Sequence, residues 1–114
     1  YNCNKAVDFV DISGLKKLGT DKVPPLVGRG VLIDMARHFK VTSMVAGQAI
    51  SSADIKAAAK AQGIDFRQGD VILFHTGWTD AMLTSEPQAW ATAEPGLNNE
   101  AAAYLASLNP VAMW

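Results

Sequence analysis

The chain has 114 residues, of which 49% are hydrophobic and 18% charged, and its formal net charge at pH 7 is −1. This length fits one small domain, and this composition excludes the class of intrinsically disordered proteins. The charge gives no reason to expect nucleic acid or an anionic membrane as a partner, and no apolar run approaches the roughly 20 residues that span a bilayer. The lone Cys3 fits a cytoplasmic location.

Residues 1–28 form the least regular part of the sequence. Turn residues recur through this segment, and Pro24-Pro25 excludes a helix at that point. A short helix near residues 13–18 is one alternative. Most of the segment is expected to be irregular chain that wraps over the rest of the domain.

Three apolar runs predict β-strands in the remaining residues, 29–114, which are expected to form an alternating strand and helix core. Residues 30–35 are apolar or β-branched almost throughout. Such a continuous run is typical of a strand that is covered on both faces. The second run is residues 71–75, and the third begins at Val111 and reaches the last residue.

Two helices are predicted between these strands, because both carry capping signals. Ser51 and Asp54 mark a helix start, and Gly63 marks the stop of that helix. Asn98 caps a second helix that runs to about Leu108. The order strand, helix, strand, helix, strand predicts an α/β fold with parallel strand pairing.

No nucleophile or metal motif emerges from these residues alone. His38 and His75 have no partner at a metal-ligand spacing, and His38, in a polar connector, is expected to face solvent. The glycines of Gly28-Arg29-Gly30 precede a strand, so a turn explains them better than a phosphate loop does. Residues 75–78 end a strand, where ligands gather in α/β proteins, so they either line a site or close the core.

Three stretches of the sequence occur in an order that resembles a known family. They are RGVLIDMAR at 29–37, AISSADIKAAAKAQGIDFRQGDVILFHTGW at 49–78 and EPGLNNEAAAYLAS at 94–107. They are similar to a Gly-Val-hydrophobic-hydrophobic-Asp strand, a helix and strand that end in Thr-Gly-Trp, and a Pro-Gly-Leu helix segment. These features resemble the cyclase family of metal-dependent hydrolases, which includes bacterial kynurenine formamidases and isatin hydrolases.

The resemblance implies a swivelling β/β/α-type domain, of which residues 1–114 are expected to be one incomplete copy. It implies a hydrolase that cleaves a small amide, formamide or cyclic amide with water activated by zinc or manganese. It also implies homo-oligomers. The family's His-x-Gly-Thr-His-x-Asp metal motif is absent from the chain.

By the order of the family, that motif would precede Tyr1, and a later histidine and glutamate of the site would follow Trp114. The chain is therefore expected to be an internal fragment that supplies no metal ligand and no catalytic residue. Alone, it is expected to be inactive and to bind no catalytic metal.

The resemblance places a few residues near the substrate. Thr76 and Trp78 belong to the Thr-Gly-Trp match and are expected to form the pocket wall, whereas Gly77 has a backbone role. Tyr1 and Asn2 would lie just after the missing motif and are expected to contact the substrate as well.

Two alternatives stay open. Asp34, at the end of a strand, either helps to orient a metal ligand or forms a structural hydrogen bond to a neighbouring loop. The chain is either the central portion of such a hydrolase or a non-catalytic α/β module that binds a small molecule or a partner chain.

Overall fold

A computed structural model describes residues 3–114, so the expectations for Tyr1 and Asn2 lie outside the described residues. Residues 3–28, the N-terminal segment, contain short elements only, and residues 29–114, the α/β body, contain the longer ones. The elements are 3₁₀ helices at Ala6–Asp8 and Thr20–Lys22, strands β1 (Val10–Asp11), β2 (Gly14–Leu15), β3 (Gly30–Asp34), β4 (Ala49–Ile50), β5 (Val71–His75), β6 (Gly96–Leu97) and β7 (Ala112–Met113), and helices α1 (Met35–Phe39), α2 (Ser52–Gln62), α3 (Trp78–Met82), α4 (Pro87–Thr92) and α5 (Asn99–Ser107).

Strands β3, β5 and β7 form a three-stranded parallel sheet in that order. In its register, Val31 lies opposite Ile72 and Asp34 lies opposite His75. The chain between successive strands contains helices, as crossover connections between parallel strands usually do. Strands β4 and β6 form a second, shorter parallel pair. The predicted α/β class with parallel strands is therefore confirmed.

Helices α2 and α5 begin and end close to where the sequence predicts. The Ser51 hydroxyl accepts a hydrogen bond from Asp54 N, and the Asp54 carboxylate accepts one from Ser51 N, which completes a capping box. Gly63 ends α2 in the left-handed conformation, with a φ of 68°. Asn98 caps α5 by accepting a hydrogen bond from Ala101 N at 2.8 Å. None of the helices within residues 3–114 has the length and hydropathy needed to cross a membrane.

The hydrophobic core lies between α2, α5 and one face of the sheet. Ile33 and Ile72 provide its sheet side, and Ile55, Ala58 and Leu105 provide its helix side, all of them buried. The predicted apolar stripe of α2 therefore faces the core, and its short alanine side chains let the helix approach its neighbours closely.

The opposite face of the sheet is exposed among the described residues. Leu32 is 59% exposed, and Leu73, its partner in the register, is 37% exposed. Side chains alternate along a strand, and α2 and α5 cover one side of this sheet. The prediction that residues 30–35 form a strand covered on both faces is therefore wrong for the described chain. Met35, the last residue of that run, begins α1 instead.

The turn predicted at Gly28-Arg29-Gly30 leads into β3 and ties that strand to the next one. Arg29 binds Asp70 with two hydrogen bonds, from Nε to Oδ1 at 2.9 Å and from Nη2 to Oδ2 at 2.8 Å. Asp70 is buried and also accepts a hydrogen bond from Arg67 N. Hydrogen bonding from the guanidinium is the main cause that lowers the pKa of Asp70. This pair lies at the amino ends of β3 and β5.

Two local features outside these elements differ from the sequence analysis or go beyond it. Residues 13–18 do not form a helix, because β1 and β2 pair as an antiparallel hairpin in which Val10 faces Leu15 and Gly14 has a φ of 115°. The connector after residue 35, for which the sequence predicted no particular structure, contains α1. The Asp34 carboxylate caps this short helix, a role that the hydrophobic pattern does not reveal.

Candidate functional site

A cavity of about 330 Å³ opens where the carboxyl ends of β4, β5, β6 and β7 meet. Ligands of α/β proteins gather at this edge of a sheet. The hydroxyls of Thr76 and Thr79 and the carboxylate of Glu94 supply polar groups to the cavity. The apolar part of its wall consists of Ile50, Phe74, Pro95, Leu97, Met113 and Trp114.

The chain turns sharply after Thr76, because Gly77 adopts a left-handed φ of 72°. The backbone of Thr42 passes so close that a Cβ atom at position 77 would overlap the Thr42 carbonyl oxygen. Met44 N donates a hydrogen bond to the Thr76 carbonyl at 2.9 Å, which fixes the strand end from the same side. The predicted backbone role of Gly77 is therefore confirmed.

The two residues predicted to form the pocket wall differ in position. Thr76 lines the cavity. Trp78 is only 7% exposed at the start of α3, and its indole Nε1 is buried without a hydrogen-bond partner in the described part of the chain. Trp78 thus closes the interior, while Phe74 and Trp114 are the aromatic residues of the wall. Contact with a substrate stays a prediction for both Thr76 and Trp78.

Asp34 ends β3 beside His75, which ends β5. The Asp34 Oδ1 atom accepts a hydrogen bond from Arg37 N at 2.8 Å and lies 3.0 Å from His75 Nδ1. The backbone hydrogen bond from Arg37, followed by the one from His75, lowers the pKa of Asp34, so the carboxyl group is ionised at neutral pH. Asp34 therefore forms a structural hydrogen bond, but to the first turn of α1 and not to a loop, and its role in orienting a metal ligand stays a prediction.

A smaller cavity of about 180 Å³ shares Phe74, Thr76 and Thr79 with the larger one. His75 and Asp80 also line it, and His75 Nε2 lies 3.9 Å from Asp80 Oδ2. The end of β5 and the start of α3 therefore bring His75, two threonines and Asp80 to neighbouring openings in the surface.

His38 does not face solvent as expected. Its side chain is 21% exposed, and its Nε2 lies 3.6 Å from Asp54 Oδ1. The expectation is wrong because residues 35–39 form a helix, α1, that packs against α2 and brings His38 to the start of that helix.

Sequence reasoning missed Thr79, Glu94 and Trp114 as cavity residues. Thr79 follows β5, and Glu94 precedes β6, so their nearness to a strand end is the only local signal. The pairing of β4 with β6 brings Glu94 to the cavity. Strands β4 and β6 have two residues each, which is too short for an alternation of apolar and polar residues to predict a strand.

Within residues 3–114, no group of three His, Cys, Asp or Glu side chains is arranged to hold a metal ion. Zinc, for comparison, takes at least three protein ligands in its catalytic sites. The described residues therefore do not by themselves fit the zinc or manganese site that the resemblance implies.

Comparison with known proteins agrees with this fold. Residues 8–114 match the family model described as "Putative cyclase". A crystal structure described as that of a novel cyclase superimposes with a TM-score of 0.77 at 24% identity, over 91% of this chain and 36% of the other chain. At this identity the likeness shows the fold, and the chain spans little more than a third of that protein's length. No curated protein matches the chain. Because the family model covers nearly the whole sequence, the chain belongs to the cyclase family.

Proposed function

We propose that this chain supplies part of the substrate cleft of a metal-dependent hydrolase that cleaves a small amide, formamide or cyclic amide. The observation that carries the proposal is the family match over residues 8–114 together with a cavity at the carboxyl ends of the strands. Family membership favours the reaction class, and the cavity would accommodate part of the substrate in this chain.

The chemistry of the larger cavity suits such a substrate. Its apolar and aromatic wall, including Phe74 and Trp114, would bury the hydrocarbon part of a small ligand and exclude water. The hydroxyls of Thr76 and Thr79 can each donate to an amide carbonyl oxygen or accept from an amide N–H group. These groups would orient the scissile bond.

The divalent metal belongs to the same proposal. Because residues 3–114 contain no group of side chains arranged to hold it, its ligands would come from residues beyond those described. The role of the described residues is then to bind and orient the substrate. Cytoplasmic location and assembly of several copies are further parts of this proposal.

The proposal is tested with the protein expressed together with the sequence that flanks these 114 residues in its gene. We expect this protein to hydrolyse an aryl formamide or a cyclic amide in the presence of Zn²⁺ or Mn²⁺, and to lose that activity with a chelator. We expect the 114-residue chain alone to be inactive and to hold no stoichiometric metal. Failure of the longer protein to cleave any such substrate would contradict the proposal.

A second candidate is a non-catalytic module that binds a small molecule or a partner chain. The observation that favours it is the lack of a metal-binding group among residues 3–114. Equilibrium dialysis of the longer protein with the same aryl formamide separates the two candidates, because a binding module would retain the compound and release it unchanged.

A further inference from the structure

A groove of about 330 Å³ lies between α2 and α5, apart from the cavities at the strand ends. Its lining comes from α2, from α5 with its C-cap, and from residues 64–66, the chain that leads toward the amino end of β5. It shares no lining residue with either cavity at the end of β5. This groove, called the helix groove below, is therefore a different place from the proposed substrate cleft.

The floor and walls of the helix groove are apolar and aromatic. Ala59 of α2 is buried at its floor. Four partly buried side chains line it and pack against the hydrophobic core, so the fold holds them in place: Ile64, Phe66, Tyr104 and Leu108. Aromatic side chains bury much apolar area against another ring, either offset-stacked or edge to face. Two aromatic walls therefore favour a ligand with a flat aromatic ring.

Two lysines of α2 also line the helix groove. Lys56 and Lys60 are four residues apart, so they lie on the same face of the helix. Neither forms an ion pair with a described residue. Lys56 Nζ instead lies 4.4 Å from the centroid of the Tyr104 ring, a cation–π contact. The dipole of α2 favours a cation in its last turn and so accounts for Lys60, but it does not account for Lys56 beside an aromatic wall.

Asp65 is the one carboxylate among the described residues that line the helix groove. Its side chain is 81% exposed, and its Oδ2 atom lies 3.5 Å from Arg67 Nε. A neighbouring cation therefore compensates the charge of Asp65. The lining thus carries two ammonium groups without an anionic partner and one paired carboxylate, and this balance of charge favours an anionic ligand.

We propose that the helix groove is a second ligand site, which binds a small aromatic carboxylate. The ring would pack against Phe66 and Tyr104, and the carboxylate would accept hydrogen bonds from the ammonium groups of Lys56 and Lys60. A volume of about 330 Å³ is near the lower limit for ligand pockets, so the ligand is small. This site does not depend on the hydrolase function proposed above.

The site is tested with 2-naphthoate as the probe and with ¹H–¹⁵N spectra of the labelled longer protein. We expect saturable shifts of the backbone amides of Lys60, Phe66 and Tyr104, with a Kd of about 1 mM or lower. Two further probes separate charge from ring. 2-Naphthalenemethanol, which has the ring without the charge, should bind about fivefold more weakly. Acetate, which has the charge without the ring, should cause no saturable shift over the same concentrations.

Lysine variants show whether the two ammonium groups hold the probe. Lys56→Gln/Lys60→Gln should raise the Kd for 2-naphthoate by about fivefold or more. Lys56→Arg/Lys60→Arg keeps both charges and should raise it by less than about twofold. Lys17→Gln removes an exposed lysine of the N-terminal segment and is the matched control, for which we expect an unchanged Kd. All three lysines are exposed, so these variants should keep the fold.

Shifts confined to the amides of Thr76 and Thr79 in the cleft, or no saturable shift in the helix groove, would overturn the proposal. It would also be overturned if 2-naphthalenemethanol or acetate shifted the groove amides as strongly as 2-naphthoate does. The same holds if Lys56→Gln/Lys60→Gln bound 2-naphthoate as tightly as the unmodified protein.

Discussion

The N-terminal segment and the α/β body differ in how much of each is buried. Among residues 3–28, Phe9 is the one buried residue, at 3% exposure. The body has a core of buried side chains between its sheet and the helices α2 and α5. The radius of gyration is 17.0 Å, above the roughly 13 Å expected for a compact chain of about 100 residues. The segment therefore extends from the body.

This difference explains where regular structure forms. Burial of apolar surface offsets the conformational entropy that each ordered residue loses. In the body, whole faces of helices and strands bury apolar surface and so offset this loss of entropy. The segment has a small apolar group around Phe9, Val10, Leu15 and Leu18, and its elements are two or three residues long. Equivalent substitutions should therefore have unequal effects in the two regions.

The largest contrast is expected between a core side chain and an apolar side chain of the segment. Ile33→Ala in β3 should lower the free energy of unfolding by about 2–5 kcal/mol, because it leaves a cavity in a fully buried position. Val10→Ala in β1, where the side chain is half exposed, should change it by less than about 0.5 kcal/mol. Urea denaturation of both variants measures the contrast. Equal losses would mean that the segment is packed as firmly as the body.

The turn at Gly77 gives the next contrast, in this case between two left-handed glycines of the body. Gly63→Ala should cost about 1–2 kcal/mol from backbone conformation alone, since no atom lies near its Cβ position. Gly77→Ala meets the same conformational cost and also the Thr42 carbonyl, so it should cost at least about 1 kcal/mol more. Thermal unfolding of the two variants compares them. Equal shifts in Tm would show that Thr42 can move away without cost.

The dependence of stability on pH should separate a buried carboxylate from an exposed one. Arg29 holds the pKa of Asp70 below its unfolded value of about 3.9, so this stabilisation is present above roughly pH 4 and is lost as the pH falls through the folded-state pKa. Asp70→Asn should therefore be less stable at neutral pH and lose less of its stability on acidification than the unmodified chain.

Asp11, which pairs with Lys16 on the surface of the segment, is the matched control. Its pKa is lowered as well, chiefly by the Lys16 hydrogen bond, but solvent screens exposed pairs. Asp11→Asn should leave the profile of Tm against pH nearly unchanged. If both substitutions changed the decrease in Tm at low pH by the same amount, the buried pair of Arg29 and Asp70 would not be its cause.

The smallest contrast concerns two serines that bond to a nearby aspartate. Ser51→Ala removes the cap of α2 and should cost about 1 kcal/mol. Ser13→Ala removes a hydroxyl that bonds to exposed Asp11 in the turn between β1 and β2, and should cost less than about 0.5 kcal/mol. Urea denaturation with repeated measurements resolves this difference. An equal loss would mean that the Ser13 hydroxyl contributes as much to the free energy of unfolding as the Ser51 cap does.

The features that sequence predicts well are those whose signals lie close together. The capping residues Ser51, Gly63 and Asn98 lie next to the helices that they delimit, and the α/β order follows from long apolar runs. The resemblance to the cyclase family also depended on contiguous stretches, and the family match confirms it.

The candidate site could be predicted only in part, because pairing between distant residues forms it. Thr76 was found from the Thr-Gly-Trp match to the family, at a strand end where ligands of α/β proteins gather. Glu94 reaches the cavity through a pair of two-residue strands, and Asp34 reaches His75 through the register of β3 and β5. No pattern in the sequence around Glu94 or Asp34 indicates these contacts. The capping role of Asp34 likewise depends on a short helix that periodicity cannot reveal.

The most direct test of a substrate cleft at the end of β5 is kcat/KM of the flank-containing protein for an aryl formamide, measured for two matched substitutions. Thr76→Val removes a hydroxyl from the cavity, and Thr20→Val removes one from the exposed N-terminal segment. We predict a loss of about tenfold or more for Thr76→Val, the equivalent of one hydrogen bond to the substrate, and no loss for Thr20→Val. Unmodified kcat/KM in Thr76→Val, or an equal loss in both variants, would contradict a cleft at this position.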